Sequence, residues 1–416
     1  MKKVLGNAVV AAFILVVATV SSCVKDKECK YKRDQGAGAD YLPAYLSNCT
    51  AEAAHEVPPV SPASGKVFSY TKFEQLLLDS LTDVGGYQIA VTENGFPKFL
   101  KSAGYARETN ECPDLVMTGC NKVNIASVTK ILTIATTLKI LDDLGMDETD
   151  SIGPYLPASW TVPAAVANTT FAALFRHRSG MQSTNNDFQN TLSYNGLRTF
   201  VANGPIPANV GTFNYLNANV ALMRIVIPEL WKGLASCPAA LKNAGEITDA
   251  LSQTYYERAV KEFVLNKVNA EGELDAPTAL GDFETLYYTP TSSEGGASAG
   301  NWKNICGGGG WNMTANDLAK VMEGIFNGTI VSSVVLTQMQ NLGMGLLNQI
   351  TVTDGTLFGH SGDVSFSGGK EYHSIALYNP NNGLAIAVNI NCGFKDPNNG
   401  GWLGWIVQRA YNGAWE

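Results

Sequence analysis

Ile125-Ala126-Ser127-Val128-Thr129-Lys130-Ile131-Leu132-Thr133-Ile134-Ala135-Thr136-Thr137-Leu138-Lys139-Ile140-Leu141-Asp142-Asp143-Leu144-Gly145 opens with Ser-x-x-Lys and continues as an apolar helix. Residues three apart share a helical face, so this spacing puts the Ser127 hydroxyl within hydrogen-bond reach of the Lys130 amine. The pair supplies a nucleophile and a base. Ile131, Leu132, Ile134, Ala135, Leu138, Ile140, Leu141 and Leu144 spread around nearly the whole circumference, the pattern of a helix buried inside a domain. Gly145 supplies the stop. A lysine acting as a base must be neutral, and lowering its pKa from about 10.4 to about 7 takes roughly 4–5 kcal/mol of differential destabilisation. Burial and the positive end of the helix dipole both act in that direction.

The tetrapeptide alone is a weak signal, because Ser-x-x-Lys also occurs at Ser69 to Lys72 and at Ser367 to Lys370. At the first of these, Thr71-Lys72-Phe73-Glu74 reads as a capping box opening an amphipathic helix over residues 68–84. At the other, Gly368 and Gly369 are poor helix formers and leave the pair unaligned.

Ahead of this region, Met1-Lys2-Lys3 and an uncharged, mostly apolar run end in Val20-Ser21-Ser22-Cys23. Residues 1–22 read as a secretory signal, with a core short for a spanning helix of about 20 apolar residues. The small residues before Cys23 resemble a bacterial lipobox, which implies cleavage there and lipidation of the Cys23 sulfur. The other reading is an ordinary signal with a chance cysteine. Residues 23–66 have tether composition, from Lys25-Asp26-Lys27-Glu28 to the proline-rich Val57-Pro58-Pro59-Val60-Ser61-Pro62. The charged tract loosely resembles surface-export signals of Gram-negative lipoproteins. The expected location is therefore an envelope membrane of Gram-negative type, reached through a lipid anchor, on the periplasmic or surface face.

Loss of Lys2 and Lys3 would take the formal charge from −8 to −10. Such an acidic chain is not an obvious nucleic-acid partner. Eight cysteines less Cys23 leave an odd number, so at least one stays free or pairs between molecules. Cys29 with Cys49, or Cys112 with Cys120, would close short loops. There is no Cys-x-x-Cys, and His55, His177, His360 and His373 are scattered, so no metal site and no cofactor is expected.

Residues 67–416 are enough for one large domain or two intimately joined ones. Tyr87 to Thr92, Glu93-Asn94-Gly95 and Phe96 to Leu100 suggest a hairpin. From residue 146 to about 330 helical patterns alternate with Pro and Gly breaks, clearest at 256–268 and 315–326. The second follows Gly307-Gly308-Gly309-Gly310, read as a flexible run. Leu357-Phe358, Ser374 to Tyr378 and Leu384 to Asn389 read as strands, and 402–411 as a closing helix. The expectation is an α/β (α+β) fold: an antiparallel sheet built from both chain ends, flanked by helices, with an inserted all-helical domain.

Two further stretches complete the constellation: Tyr215-Leu216-Asn217, the only Tyr-x-Asn in the chain, and His360-Ser361-Gly362 followed by Asp363, placed where a strand should begin. With Ser127 and Lys130, this order resembles the serine β-lactamase and penicillin-binding-protein superfamily, and within it class C β-lactamases and their esterase and DD-peptidase relatives. Further pieces fall in family order across most of residues 67–416: Ile89-Ala90-Val91, Asn94-Gly95, Gly104-Tyr105-Ala106, Tyr155-Leu156-Pro157 and Gly307 to Leu318. The resemblance implies an α/β domain beside a helical one, with the active site in the groove between them. By the same resemblance Ser127 attacks an acyl carbonyl, Lys130 and Tyr215 shuttle its proton, and Asn217 binds substrate and Lys130. The backbone N–H groups of Ser127 and Asp363 form the oxyanion hole beside Ser361 and Gly362. His177 is read as structural.

β-Lactamases carry Lys-Thr-Gly where this chain has His360-Ser361-Gly362, and their lysine holds a substrate carboxylate. A histidine near pKa 6.5 is mostly neutral at pH 7. Asp363 adds a negative charge, so neutral esters are expected to outperform penicillins, with carboxylate substrates gaining as pH falls through about 6.5. The expected function is an exported serine hydrolase acting by an acyl-enzyme on an ester, amide or D-amino-acid peptide bond, its substrate a small molecule or peptide of cell-wall type. The alternative is a surface lipoprotein that keeps the fold as a non-catalytic binding module.

Overall fold

In the computed structural model, residues 65–108, 111, 114–182, 188–275, 278–279, 283–290, 295–394 and 402–416 are described. Residues 1–64, and with them the signal, Cys23, Cys29, Cys49 and most of the tether, lie outside the described residues, as does Cys112. Cys120 is disulfide-bonded, while Cys237, Cys306 and Cys392 are free and buried.

Seven strands form one sheet: β1 Gly86–Glu93, β2 Phe96–Arg107, β3 Leu115–Val116, β4 Asn348–Val352, β5 Gly355–Ser365, β6 Glu371–Asn379 and β7 Leu384–Ile390. Their order is β3-β2-β1-β7-β6-β5-β4, with every neighbouring pair antiparallel. The two chain ends meet at its centre, where β1 pairs with β7 from Tyr87↔Ile390 to Glu93↔Leu384. The β1–β2 hairpin turns on Asn94 and Gly95, both at positive φ (51° and 86°). A two-residue turn with both φ positive matches the twist of the flanking strands.

The longer helices are α1 Tyr70–Asp79, α2 Thr129–Leu144, α3 Tyr194–Asn203, α4 Met223–Trp231, α5 Asp249–Phe263, α6 Ala315–Phe326, α7 Ser333–Leu342 and α8 Leu403–Gly413. Side-chain size sorts the two faces of the sheet. Ile89, Val91, Ile375, Leu377, Ile386 and Val388 join Phe73, Leu77, Ile406, Val407 and Tyr411 in a core with α1 and α8. The alternate residues Ala90, Ala376, Ala385 and Ala387 belong to the other core, with α2, α4, α5 and α6. Successive strand residues point to opposite faces, so the alanines let helices approach one face closely while bulky residues fill the other.

α2 is the expected central helix. Twelve of its sixteen residues are buried, and it ends at Gly145 with φ 70°. One expectation is corrected, one is met and one strand is added. The first helix runs only over Tyr70–Asp79, and its cap is Ser69, whose hydroxyl accepts from Lys72 N–H, rather than a box at Thr71. The third Ser-x-x-Lys lies, as expected, off any helix, in the β5–β6 connection, where Phe366 N–H donates to Lys370 C=O. Strand β4 was missed, since Asn348-Gln349-Ile350-Thr351-Val352 has only two buried residues, too short an alternation to read as a strand.

Candidate active site

The Ser127 turn is shaped by its predecessors. Ala126 holds φ 45°, a left-handed conformation costly for a residue with a β-carbon. The Asn124 carboxamide oxygen accepts from Ala126 N–H at 3.0 Å, and the Tyr287 hydroxyl accepts from Asn124 N–H at 2.8 Å, fixing the turn from behind. A short 3₁₀ turn, Ala126–Val128, then leads into α2 with Lys130 in its first turn.

Lys130 is almost wholly buried at 1% exposure. Its Nζ lies 2.7 Å from Asn217 Oδ1, 2.5 Å from the Gly308 carbonyl and 2.9 Å from Ser127 Oγ. All three partners are uncharged. Burial holds the amine well below its ordinary value. A neutral amine has two N–H donors and one lone pair, so donation to Asn217 and Gly308 leaves the lone pair facing the Ser127 hydroxyl. The Gly307–Gly310 run is buried and packed rather than free. A β-carbon on Gly308 would lie 2.7 Å from Asn217 C=O, and one on Gly310 would lie 2.6 Å from the Trp302 side chain.

The Tyr215 phenol lies close enough to the Ser127 side chain to interact with it. Burial raises its phenol to about 12; the Ser127 interaction works against this and the Asp363 charge with it. Lys130 Nζ lies 5.0 Å from the Tyr215 ring centroid. His177, at φ 55°, supports this arrangement: its Nδ1 accepts from Leu216 N–H at 3.2 Å and its ring sits 4.4 Å from the Tyr215 ring. Burial, reinforced by the nearby Lys130, pushes His177 down to about 3.

His360-Ser361-Gly362 lies within β5 rather than at its start, just past Gly359, where pairing with β4 ends. A β-carbon at Gly362 would lie 2.7 Å from Ser127 N and 2.5 Å from Ile125 C=O, so only glycine lets β5 approach the Ser127 amide this closely. Trp402 Nε1–H donates to Ser361 Oγ at 3.1 Å. The Asp363 carboxylate is held by His373 Nδ1 at 2.6 Å, its partner across β5 and β6.

His360 overturns one expectation. It is 4% exposed, its Nδ1 lies 2.5 Å from Ser361 C=O, and its ring centroid is 6.4 Å from that of Tyr215. Burial, with the Lys130 charge adding to it, pushes its pKa down to about 3. No charge change near pH 6.5 follows, so the expected recovery of carboxylate substrates on mild acidification is withdrawn. Burial keeps the imidazole neutral beside Tyr215 at pH values well above 3.

The structure thus gathers Ser127, Lys130, Tyr215, Asn217 and His360 from four separate elements, with Gly362 against Ser127. It adds Asn124, Tyr287, the Gly308 carbonyl, Trp402 and His373, which the sequence reading did not single out. Only the glycine run carried a legible signal. Among the described residues no group of three His, Cys, Asp or Glu side chains is arranged to hold a metal ion.

A mixed sheet-and-helix fold with this serine, lysine and tyrosine arrangement defines a member of the serine β-lactamase and penicillin-binding-protein superfamily. The family model described as Beta-lactamase matches residues 73–408, and the chain belongs to that family. Among solved structures it is similar to D-amino acid amidase from Ochrobactrum anthropi SV3 in complex with L-phenylalanine. That match has 19% identity, covers 83% of this chain and 96% of that one, and has a TM-score of 0.59. A D-stereospecific amidohydrolase from Streptomyces sp. matches at 17% identity over 77% of this chain and 94% of that one, TM-score 0.54. The octameric penicillin-binding protein homologue from Pyrococcus abyssi matches at 18% identity over 82% of this chain and 76% of that one, TM-score 0.59. None of the curated proteins compared matches the chain.

Proposed function

We propose that this chain is an exported, lipid-anchored serine hydrolase that cleaves an ester, amide or D-amino-acid peptide bond through an acyl-enzyme. The observation that carries the reading is the buried Lys130 amine, given only uncharged partners and set 2.9 Å from Ser127 Oγ. Lys130 takes the Ser127 proton as Oγ bonds to the substrate carbonyl carbon. The carbonyl oxygen becomes an oxyanion held by the N–H groups of Ser127 and Asp363. Tyr215, protonated with a phenol pKa of about 12, passes its proton to the leaving atom as the scissile bond breaks and is reprotonated from Lys130. Water then hydrolyses the ester on Ser127. Amidase and D-stereospecific amidohydrolase names among structurally similar proteins favour an amide or D-amino-acid bond. The neutral His360 and the acidic Asp363, in place of a fixed cation, disfavour substrates that need a carboxylate clamp.

Mass spectrometry of the chain after a fluorophosphonate or penicillin probe tests this reading. Adduct on Ser127, absent in Ser127→Ala, is the expected result; folded protein with no adduct at any pH makes the chain a binding module instead. The export reading rests on Val20-Ser21-Ser22-Cys23. Membrane partition in a Gram-negative host, lost in Cys23→Ser, supports it; wild-type protein wholly in the soluble fraction sinks it.

A further inference from the structure

Four of the ten large apolar side chains exposed among the described residues fall within ten residues: Ile206 at 40%, Val210 at 56%, Phe213 at 47% and Tyr215 at 37%. The segment that carries them, Gly204-Pro205-Ile206-Pro207-Ala208-Asn209-Val210-Gly211-Thr212-Phe213-Asn214-Tyr215-Leu216, holds no charged residue.

Its exposure is not that of a loose loop. Ile206 N–H donates to Gly180 C=O, Gly211 N–H to Arg178 C=O, and Asn214 N–H to His177 C=O. Arg178 Nη1 donates to Gly211 C=O at 2.6 Å, and Gly180 leaves no room for a β-carbon beside Val210. A backbone fixed at this many points keeps apolar groups in water although burying them would be favourable.

The segment also runs directly into the reaction centre. Phe213 and Tyr215 both lie against the His177 ring, at centroid distances of 6.1 Å and 4.4 Å. Through that shared ring, Phe213 continues outward the rim whose inner end is the Tyr215 phenol beside Ser127. A phenol that protonates the leaving atom must sit beside it, so the group attached to that atom extends along this rim.

We infer that the Gly204–Leu216 rim, centred on Phe213, is a subsite for an uncharged, apolar leaving group. The inference rests on the proposed acyl-enzyme mechanism and names the part of the substrate this site selects. A small or charged leaving group gains nothing from Phe213, whereas an alkyl or aryl one covers it and releases water.

Esters of one acid with 4-alkylphenols test it, because 4-alkylphenols share nearly the same acidity and leave the chemistry unchanged. For the full-length chain, kcat/KM should rise about tenfold from 4-methylphenyl to 4-hexylphenyl acetate, the gain from partial burial of five methylenes at a rim. Phe213→Ser should bring that ratio close to one, Phe213→Leu should keep most of it, and Val334→Ser, altering an exposed apolar residue on α7, should leave it unchanged. A flat ratio in the wild type, a ratio that survives Phe213→Ser, or a gain with acyl length but not phenol length overturns the subsite. Binding of 4-hexylphenol and phenol to Ser127→Ala protein, followed by calorimetry, reads the same surface without turnover. Preference for hexylphenol of about tenfold, lost on adding Phe213→Ser, is expected; equal binding overturns the inference. A probe that never labels Ser127 refutes the catalytic reading alone, while labelling with a flat phenol series refutes only the subsite.

Discussion

Among the described residues, the side chains of Lys98 and Lys130 are both largely withdrawn from solvent, and they are treated in opposite ways. Lys98, in the β1–β2 hairpin, has a side chain 5% exposed and an ion pair of 2.7 Å with Glu93, itself 2% exposed. Glu93 also accepts from the Tyr70 hydroxyl at 2.6 Å, and Lys98 lies over the Tyr70 ring. Lys130 is as deeply buried but meets only a hydroxyl, a carboxamide oxygen and a carbonyl. A buried ammonium needs a counter-charge, and where none is supplied the group sheds its proton instead. Placed beside a carboxylate, the side chain is a tie that keeps its charge; placed among neutral acceptors, it is the group proposed above as a base.

The largest test of this contrast exchanges each lysine for a methionine of similar length. Lys130→Met should lower the acylation rate of Ser127 about a thousandfold, roughly 4 kcal/mol of transition-state stabilisation, while the fold persists because no charged partner is left behind. Stopped-flow labelling with a fluorophosphonate measures it; retention of a tenth of the rate would remove Lys130 from the mechanism. Lys98→Met should do the reverse, keeping the acylation rate per folded molecule and lowering stability by about 3 kcal/mol, because Glu93 is left buried without its cation. A denaturant titration reads this, and an unchanged midpoint would refute the structural role of the pair.

His177 and His360 extend the comparison, being buried bases without a carboxylate. Folded, each stays neutral down to about pH 3, whereas a histidine in the unfolded chain takes up a proton near pH 6.5. Between those values the unfolded chain binds more protons, so stability falls as pH falls. By pH 5 the loss should reach about 2 kcal/mol per histidine. Melting temperatures that stay level from pH 7 to 5 would contradict the burial argument. The smallest expected effect comes from Asn217→Asp, which gives Lys130 the counter-charge that Lys98 already has. The new carboxylate stabilises the ammonium, so acylation at pH 7 should drop about tenfold and recover toward higher pH. A pH–rate profile whose acidic limb does not move upward would show that Lys130 is not the titrating base.

How much of this was legible in the sequence differs from residue to residue. Ser127, Lys130, Tyr215, Asn217 and His360-Ser361-Gly362 stood out because each is a short local pattern, and α2 because its apolar residues cover every side. The Asn94-Gly95 turn was legible for the same reason: local backbone chemistry selects those residues. Asn124 and Tyr287 gave no signal. They lie 163 positions apart, and neither an asparagine before a helix nor a tyrosine in a connection suggests that one fixes the other. The four glycines were visible, but composition suggested freedom where the fold makes them a packed cradle for Lys130.

The sequence by itself determined the class of fold, the order of the site residues and the absence of a fixed cation at His360. The fold class follows from periodicity and the site residues from the resemblance of short motifs to a known family, and both are read over a few residues at a time. Only the tertiary structure decided the protonation states, because a pKa depends on what lies within a few ångströms in space. The same distances turned His360 from a titrating group near pH 6.5 into a neutral group with a pKa of about 3, and left Lys130 without the carboxylate that Lys98 was given.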